Sequence, residues 1–310
     1  MSLELVWLRT WIEVVDAGGF SKAAETIHLS QPRVSAHIAN LERSLGCTLI
    51  ERRIRPLALT EDGRALLPKA RAVIAAAAEL SEYQHSKQNL TGTLRVASFA
   101  SASSAFLPSV LTTLRESHPD LEVGVFDGDV QSIETALGDL RVSVALRPLR
   151  PEPHDRSFSF RPLWREPFVV LLPTGHPLCE EESIALKQLA SSRVITIGNP
   201  LMDSYLGYEA EAALHASYAE LPIGTVSQQP TTLASMVRAG LGIGVVNLLA
   251  VDMVRSDGLE KRPIRDLNRF RDVGVWWHSE RPLSRASRAF IDAVVAAPVP
   301  AGTTPAAPQS

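Results

Sequence analysis

Ser30-Gln31-Pro32-Arg33-Val34-Ser35-Ala36-His37-Ile38-Ala39-Asn40-Leu41-Glu42-Arg43-Ser44-Leu45-Gly46 is the stretch from which the fold is read. Val34, Ile38, Leu41 and Leu45 recur at helical spacing and give a helix one apolar face. Ser30 is a candidate N-cap, Pro32 lies in the first turn where a missing N–H costs little, and Gly46 supplies a stop. The opposite face shows Gln31, Arg33, Ser35, Ala36, His37 and Asn40. Upstream, Leu5, Leu8, Ile12 and Val15 form one face of a helix that ends at Gly18-Gly19. Ser21 can then cap a short helix carrying Ala23, Ala24 and Ile27, before a turn at His28-Leu29. Two short helices joined by a tight turn, the second polar on its outer face, are a helix-turn-helix pattern.

Downstream, Leu49 to Thr60 suits a small two-stranded wing with Arg52, Arg53 and Arg55 at its tip. From Arg33 to Arg71 there are eight basic residues (Arg33, Arg43, Arg52, Arg53, Arg55, Arg64, Lys69, Arg71) against Glu42, Glu51, Glu61 and Asp62. The whole chain carries −3, so this window is a basic island in an acidic protein. A solvated arginine loop on a plain three-helix unit is the competing reading. The capped second helix, polar face and basic wing together point to double-stranded DNA.

The remainder of the 310 residues bounds the answer. That length suggests about two domains. With 45% hydrophobic and 21% charged residues the chain is globular rather than disordered. Two cysteines cannot build a disulfide framework. No stretch approaches the roughly 18 apolar residues of a membrane span, and Met1-Ser2-Leu3-Glu4 does not open like a signal peptide, so a cytoplasmic protein is expected. Residues 61–88 read as one long Ala-rich helix, with Thr60 as cap and Pro68 as a kink or interruption. Its stripe of Leu66, Leu67, Ala70, Val73, Ile74, Ala77 and Leu80 calls for a cover, either a second copy or the chain's own domain. From Thr91 the period changes. Strand-like runs at 94–98, 121–126, 142–146, 168–172, 194–197, 243–246 and 273–277 alternate with helical runs at 106–117, 130–137, 231–239 and 284–295, which indicates βαβ units and a parallel sheet. The proline-rich stretch 298–310 reads as a disordered tail.

These residues resemble the LysR-type transcriptional regulators over roughly residues 3–297. The resemblance is carried by Gly19-Phe20-Ser21-Lys22-Ala23-Ala24-Glu25, Leu29 to Ser35, Leu41-Glu42-Arg43-Ser44-Leu45-Gly46, Glu51-Arg52 and Leu59-Thr60-Glu61-Asp62-Gly63. It implies an α/β chain with four parts. A winged helix-turn-helix (1–60) precedes a linker and dimerisation helix (61–88). A two-lobed effector domain of periplasmic-binding-protein type follows (89–297; lobe one 92–163 and 269–297, lobe two 164–268), and then the tail. It also implies homodimers or homotetramers and a small-molecule effector between the lobes, with no cofactor and no metal. Where many members carry Arg, this chain has Ala36.

For DNA, Gln31 suits adenine edges and Arg33 guanine or phosphate, with Pro32, Ser35 and His37 beside them. Lys22, Arg52, Arg53 and Arg55 suit phosphates or the minor groove. For the effector, Phe99-Ala100-Ser101-Ala102-Ser103-Ser104 puts hydroxyls and backbone N–H groups at a helix start that follows a strand, which suits an anion; simple capping is the alternative. By the resemblance, Ser101 and Arg147 meet a ligand carboxylate, such as an aromatic-pathway acid; the competing reading of Arg147 is a surface ion pair. Val130, Gln131, Asn199 and Ser227 stand at neighbouring loop positions. The rival from another class, a helix-turn-helix fused to an enzyme, lacks its motifs. There is no Gly-x-Ser-x-Gly, P-loop or His-Glu-x-x-His, and Gly240-Leu241-Gly242-Ile243-Gly244 does not have dinucleotide-binding spacing. Cys47 and Cys179 fall in different expected domains, which argues against a peroxide-sensing thiol pair.

Overall fold

A computed structural model describes residues 3–51, 56–85, 90–198 and 223–306, together with Ala210, Ala213, Leu214 and Ser217; the side chains of 78, 79 and 81–85 fall outside it. The chain divides into two compact units, Met1–Thr91 with Gly138–Arg141, and Gly92–Leu137 with Val142–Ser310.

In the first unit α1 (Leu5–Asp16), α2 (Phe20–Thr26) and α3 (Gln31–Leu45) enclose a core of Leu8, Trp11, Val14, Ala23, Ala24, Val34, Ile38 and Leu41. The apolar face of α3 is as its spacing predicts. That of α1 is turned: Leu8, Trp11 and Val14 are buried, Ile12 and Val15 only partly, and Leu5 is exposed. Trp11 is the bulkiest of these side chains, and seating it fully in the core sets the rotation. Helix α2 begins two residues earlier than a cap at Ser21 would start it, with Gly19 at the N-cap position. Ser30 does hold the N-cap position of α3, without a side-chain bond, and Gly46 closes that helix in the left-handed region at φ +72°. The wing is β1 (Ile50–Glu51) antiparallel to β2 (Ala58–Leu59), with Ile50 opposite Leu59. Thr60 caps α4 (Glu61–His85): its Oγ1 accepts from Gly63 N at 2.9 Å and donates to Thr48 O at 2.6 Å. Helix α4 runs without interruption through Pro68, where a kink or an interruption was expected. Leu67 and Ala70, on either side of it, are both buried in the core.

The second unit is built on one extended sheet. Its first part joins β4 (Leu121–Asp127), β3 (Gly92–Ser98), β5 (Val144–Pro148) and β11 (Phe270–His278), in that order, to β6 (Phe158–Pro173). From β6 the order continues through β9 (Ile243–Asn247) and β7 (Val194–Ile197) to β8 (Ile223–Ser227), and β10 (Leu259–Pro263) also pairs with β6. Helices α5 (Ala100–Ala105), α6 (Leu107–Ser117) and α7 (Val130–Gly138) belong to the first half. Strand β6 spans both halves, and only its second part, 168–172, reads as a strand from sequence. Pro162, Pro167 and three charged residues obscure the rest, and a register shift between Val273 and Gly274 of β11 absorbs the irregularity opposite them.

The segment after Ala297 departs from the expected disorder. β12 (Thr304–Pro305) pairs antiparallel with Arg165 and Trp164 of β6, and Ala306 N donates to Leu163 O at 3.1 Å. Trp164 and Arg165 face β11 on their other edge, so β12 closes an edge of β6 that would otherwise be open. Proline is tolerated in such an edge strand. Residues 307–310 lie outside the described residues.

Candidate functional site

The outward face of α3 carries Gln31, Pro32 and Arg33, all exposed, with Ser35 and His37 half-buried behind them. Lys22 on α2 is exposed too, and Ser21 Oγ donates to Gln31 Oε1 at 3.2 Å, so the two helices present one polar surface. Arg52, Arg53 and Arg55 lie outside the described residues. The basic island is smaller than the sequence count suggests. Arg71 is buried and bidentate to Asp16, one bond measuring 3.0 Å, so its charge is spent inside the unit. Arg64 turns back to Leu59 O at 2.7 Å.

His37 is tied to α1. Its Nδ1 lies 2.8 Å from Thr10 Oγ1, and the single hydroxyl proton of Thr10 goes to Val6 O, also at 2.8 Å. The ring must therefore donate from Nδ1, which leaves Nε2 as an acceptor. Desolvation, and then the Arg33 charge, hold the imidazole pKa below its ordinary value and keep the ring neutral.

The second unit contains a cleft of about 450 Å³. It is bordered by the β3–α5 turn (Phe99, Ala100, Ser101), by Asp127 to Val130 and Ser132 at the start of α7, by Gln228 to Pro230, and by Asn247, Ala250 and Arg271. Of the residues expected there, Ser101 and Val130 border it. Ser103 instead donates to Asp127. Gln131 is exposed beside the cleft and Ser227 folds onto Gln229, neither bordering it. Asn199 lies outside the described residues.

Arg147 is not a cleft residue, and the expectation for it is corrected. Its guanidinium is 2% exposed and donates to Pro148 O at 3.0 Å, Pro151 O at 2.9 Å and Glu134 Oε2 at 3.1 Å. It lies 5.1 Å from the centroid of the Trp276 ring, whose Nε1 donates to Arg147 O. The competing ion-pair reading was the right one, except that the pair is buried.

The arginine of the cleft is Arg271. Glu166 on β6 stands opposite Arg271 on β11, and Arg165 opposite Asp272. Successive strand residues face opposite sides, so the Arg165–Asp272 pair is solvent-facing while Glu166 and Arg271 are buried. Arg271 Nε and Nη2 both donate to Glu166 Oε2, at 2.9 and 2.7 Å, and Nη2 also reaches Ser101 Oγ at 3.1 Å. The Phe99 ring lies 4.5 Å from the guanidinium. The other carboxylate oxygen, Glu166 Oε1, accepts from Leu249 N at 2.7 Å in the first turn of the helix Leu248–Val251. This network ties β6, β11 and that helix to the cleft wall. In sequence the two partners stand 105 residues apart, each beside a residue of opposite charge, Arg165 and Asp272.

The two cysteines are free and lie in separate units. Burial is the first cause that pushes both thiols above their ordinary pKa, which keeps them protonated and weakly nucleophilic.

A DNA-reading helix-turn-helix joined to a ligand-binding cleft defines a class of one-component regulators. Residues 5–64 match the profile of the bacterial regulatory helix-turn-helix proteins of the lysR family, and residues 87–298 match that of the LysR substrate binding domain. The chain belongs to the LysR family and is a DNA-binding transcriptional regulator with an effector-binding domain. Among curated relatives it is 25% identical to the uncharacterized HTH-type transcriptional regulator YvbU of Bacillus subtilis, over 94% of this chain and 97% of that one. It is 27% identical to the HTH-type transcriptional regulator BudR of Raoultella terrigena, over 94% and 99%. Among solved structures, a full-length OxyR variant from Pseudomonas aeruginosa superposes with a TM-score of 0.75 at 25% identity, covering 96% of this chain and all of that one. No helix among the described residues is long and apolar enough to cross a membrane.

Proposed function

We propose that the regulator works in the cytoplasm and reads its operator with Gln31, Arg33, Ser35 and His37 of α3 in the major groove. Lys22, with Arg52, Arg53 and Arg55, holds the flanking phosphates. The observation that carries this reading is the outer face of α3, where an exposed amide, an exposed guanidinium and an imidazole with a free acceptor share one surface. Arg33 has no ion-pair partner among the described residues, so its charge is available to a phosphate or to guanine O6 and N7. A small molecule in the cleft beside Ser101, Asn247 and Arg271 changes DNA affinity, because a ligand shifts only an equilibrium whose two states it distinguishes.

The test is binding of DNA fragments from around the protein's own gene, followed by fluorescence anisotropy on the selected fragment. A bidentate base contact discriminates by about 1–3 kcal/mol, so Gln31→Ala and Arg33→Ala should each weaken specific binding on the order of tenfold or more. Lys22→Ala should weaken all sequences alike and flatten the salt dependence. If Gln31→Ala and Arg33→Ala both bind like the parent, α3 is not the reading helix.

A further inference from the structure

Resting on the reading of this cleft as the effector site, we propose that it takes a small neutral or cationic molecule that presents a hydrogen-bond acceptor to Asn247, and that it excludes carboxylates. The first observation is Asn247 itself. It borders the cleft, is only 5% exposed, and its Nδ2 makes no hydrogen bond. An asparagine at a helix start normally caps that helix with its own side chain. Here Asn247 holds the N-cap position of Leu248–Val251 without a side-chain bond, and Glu166 Oε1 takes Leu249 N instead. The Asn247 Oδ1 acceptor is thus released from its usual task, and independently its Nδ2 donor stands buried without a partner. A buried donor without a partner is costly, and a ligand oxygen such as an amide carbonyl would satisfy it.

The second observation is the balance of charge. Among the described residues Arg271 is the one Lys or Arg that borders the cleft, and Nε and Nη2 are both committed to Glu166. Asp127 and Asp129 also border the cleft, and neither has an ion-pair partner among the described residues. Asp129 Oδ1 is occupied by Ser132 N and Oγ, and Asp127 Oδ1 by Ser103 Oγ, so each carboxylate is held in place by its neighbours. Arg147, the cation that the sequence offered, is turned into its own pair with Glu134. A ligand carboxylate would enter a wall of net negative charge and lose its hydration there, with no uncommitted cation to meet it. An ammonium near Asp127 and Asp129 has the opposite balance.

The experiment uses the full-length protein and matched probes: benzoate, benzamide and the ammonium-bearing amide 4-(aminomethyl)benzamide, then propionate, propionamide and the ammonium-bearing amide 3-aminopropionamide. Each is titrated by thermal shift and calorimetry at fixed ionic strength. The amides and ammonium ions should raise Tm and the carboxylates should not. The Asn247→Ala and Asn247→Asp variants should each weaken the amide by about tenfold, the worth of one hydrogen bond to a buried donor; Asn247→Asp keeps the side-chain shape should Asn247→Ala fold poorly. The double variant Asp127→Asn with Asp129→Asn should weaken the ammonium probes and remove their salt dependence, leaving the neutral amides unchanged. The proposal is overturned if carboxylates bind as well as their amides, or if no amide or ammonium probe binds. Carboxylate binding that Ser101→Val or Arg271→Gln abolishes would sink the charge assignment and leave the cleft as the effector site. Probes that bind with no response to any cleft substitution and no effect on DNA affinity would sink the cleft reading itself.

Discussion

His37 shows how one hydrogen bond sets what a side chain can read. Thr10 gives its proton to Val6 O and so accepts from His37 Nδ1, which leaves Nε2 as an acceptor on the outer surface of α3. An acceptor there suits the exocyclic amino group of cytosine or adenine. The imidazole pKa is lowered by desolvation and by Arg33, so the unfolded chain takes up the proton more readily than the folded one. Stability then rises with pH through the window between the lowered folded value and the ordinary value of about 6.5, and is lost as pH falls through it. A histidine-selective NMR titration should place the His37 midpoint below that of a free histidine, with the proton on Nδ1 at neutral pH. Arg33→Ala, which removes the neighbouring positive charge, should move the midpoint back up. A midpoint at or above about 6.5 in the parent would contradict this account.

At the scale of elements, the start of α4 is pinned by a close approach that only glycine allows. A Cβ on Gly63 would stand 2.2 Å from the carbonyl oxygen of Leu49, which is backbone and cannot step aside. Gly63→Ala should therefore cost the DNA-binding unit about 1–3 kcal/mol and speed its proteolysis, while the second unit keeps its unfolding transition. Proteolysis as slow as the parent's would show that the helix start adjusts freely. Further along α4 the stripe expected to meet a second copy is divided. Leu67 and Ala70 are buried in the first unit's own core with Leu66 and Ile74 against it, so the chain covers that half itself. Val73 is 42% exposed and Leu80 74%, two turns apart on the same face. An uncovered apolar face of this spacing suits a second copy of the helix. Val73→Glu with Leu80→Glu should move sedimentation toward the monomer; an unchanged oligomer would place the interface elsewhere.

At the scale of the whole second unit, β6 is the strand common to both halves of the sheet, and β12 lies along it at Trp164 and Arg165, directly before Glu166. The terminal segment thus braces the strand that carries the cleft's buried carboxylate. Truncation after Ala297 should remove the Ala306–Leu163 bond and the two paired residues, costing about 1–2 kcal/mol and lowering Tm by roughly 2–8 °C. An unchanged Tm would mean that β12 adds no net stability.

Much of this protein is local, and local physics is legible in sequence. The spacing of Val34, Ile38 and Leu41, the Gly46 stop, the Thr60 cap and the alternation of strand and helix after Thr91 each depend on residues a few positions apart. They were enough to indicate a helix-turn-helix followed by an α/β domain, but the sheet they suggested was parallel and the observed one is mixed, because β11 runs antiparallel to β5 and β6, and β6 antiparallel to β9 and β10. The cleft was less legible. Ser101 and Val130 could be found because they open helices after strands, but Arg271 and Asn247 carry no local mark, and Arg147 looked the better cation. Which arginine borders the cleft is settled by strand register. With Glu166 opposite Arg271 and Arg165 opposite Asp272, one ion pair is buried and the other meets water, and a slip of one residue would exchange them. Likewise Asn247 Oδ1 is spared from capping because Glu166, far away in the chain, takes Leu249 N, and the Asn247 Nδ2 donor is buried without a partner. The charge of the site is therefore a property of how distant strands align, and only the tertiary structure decides it.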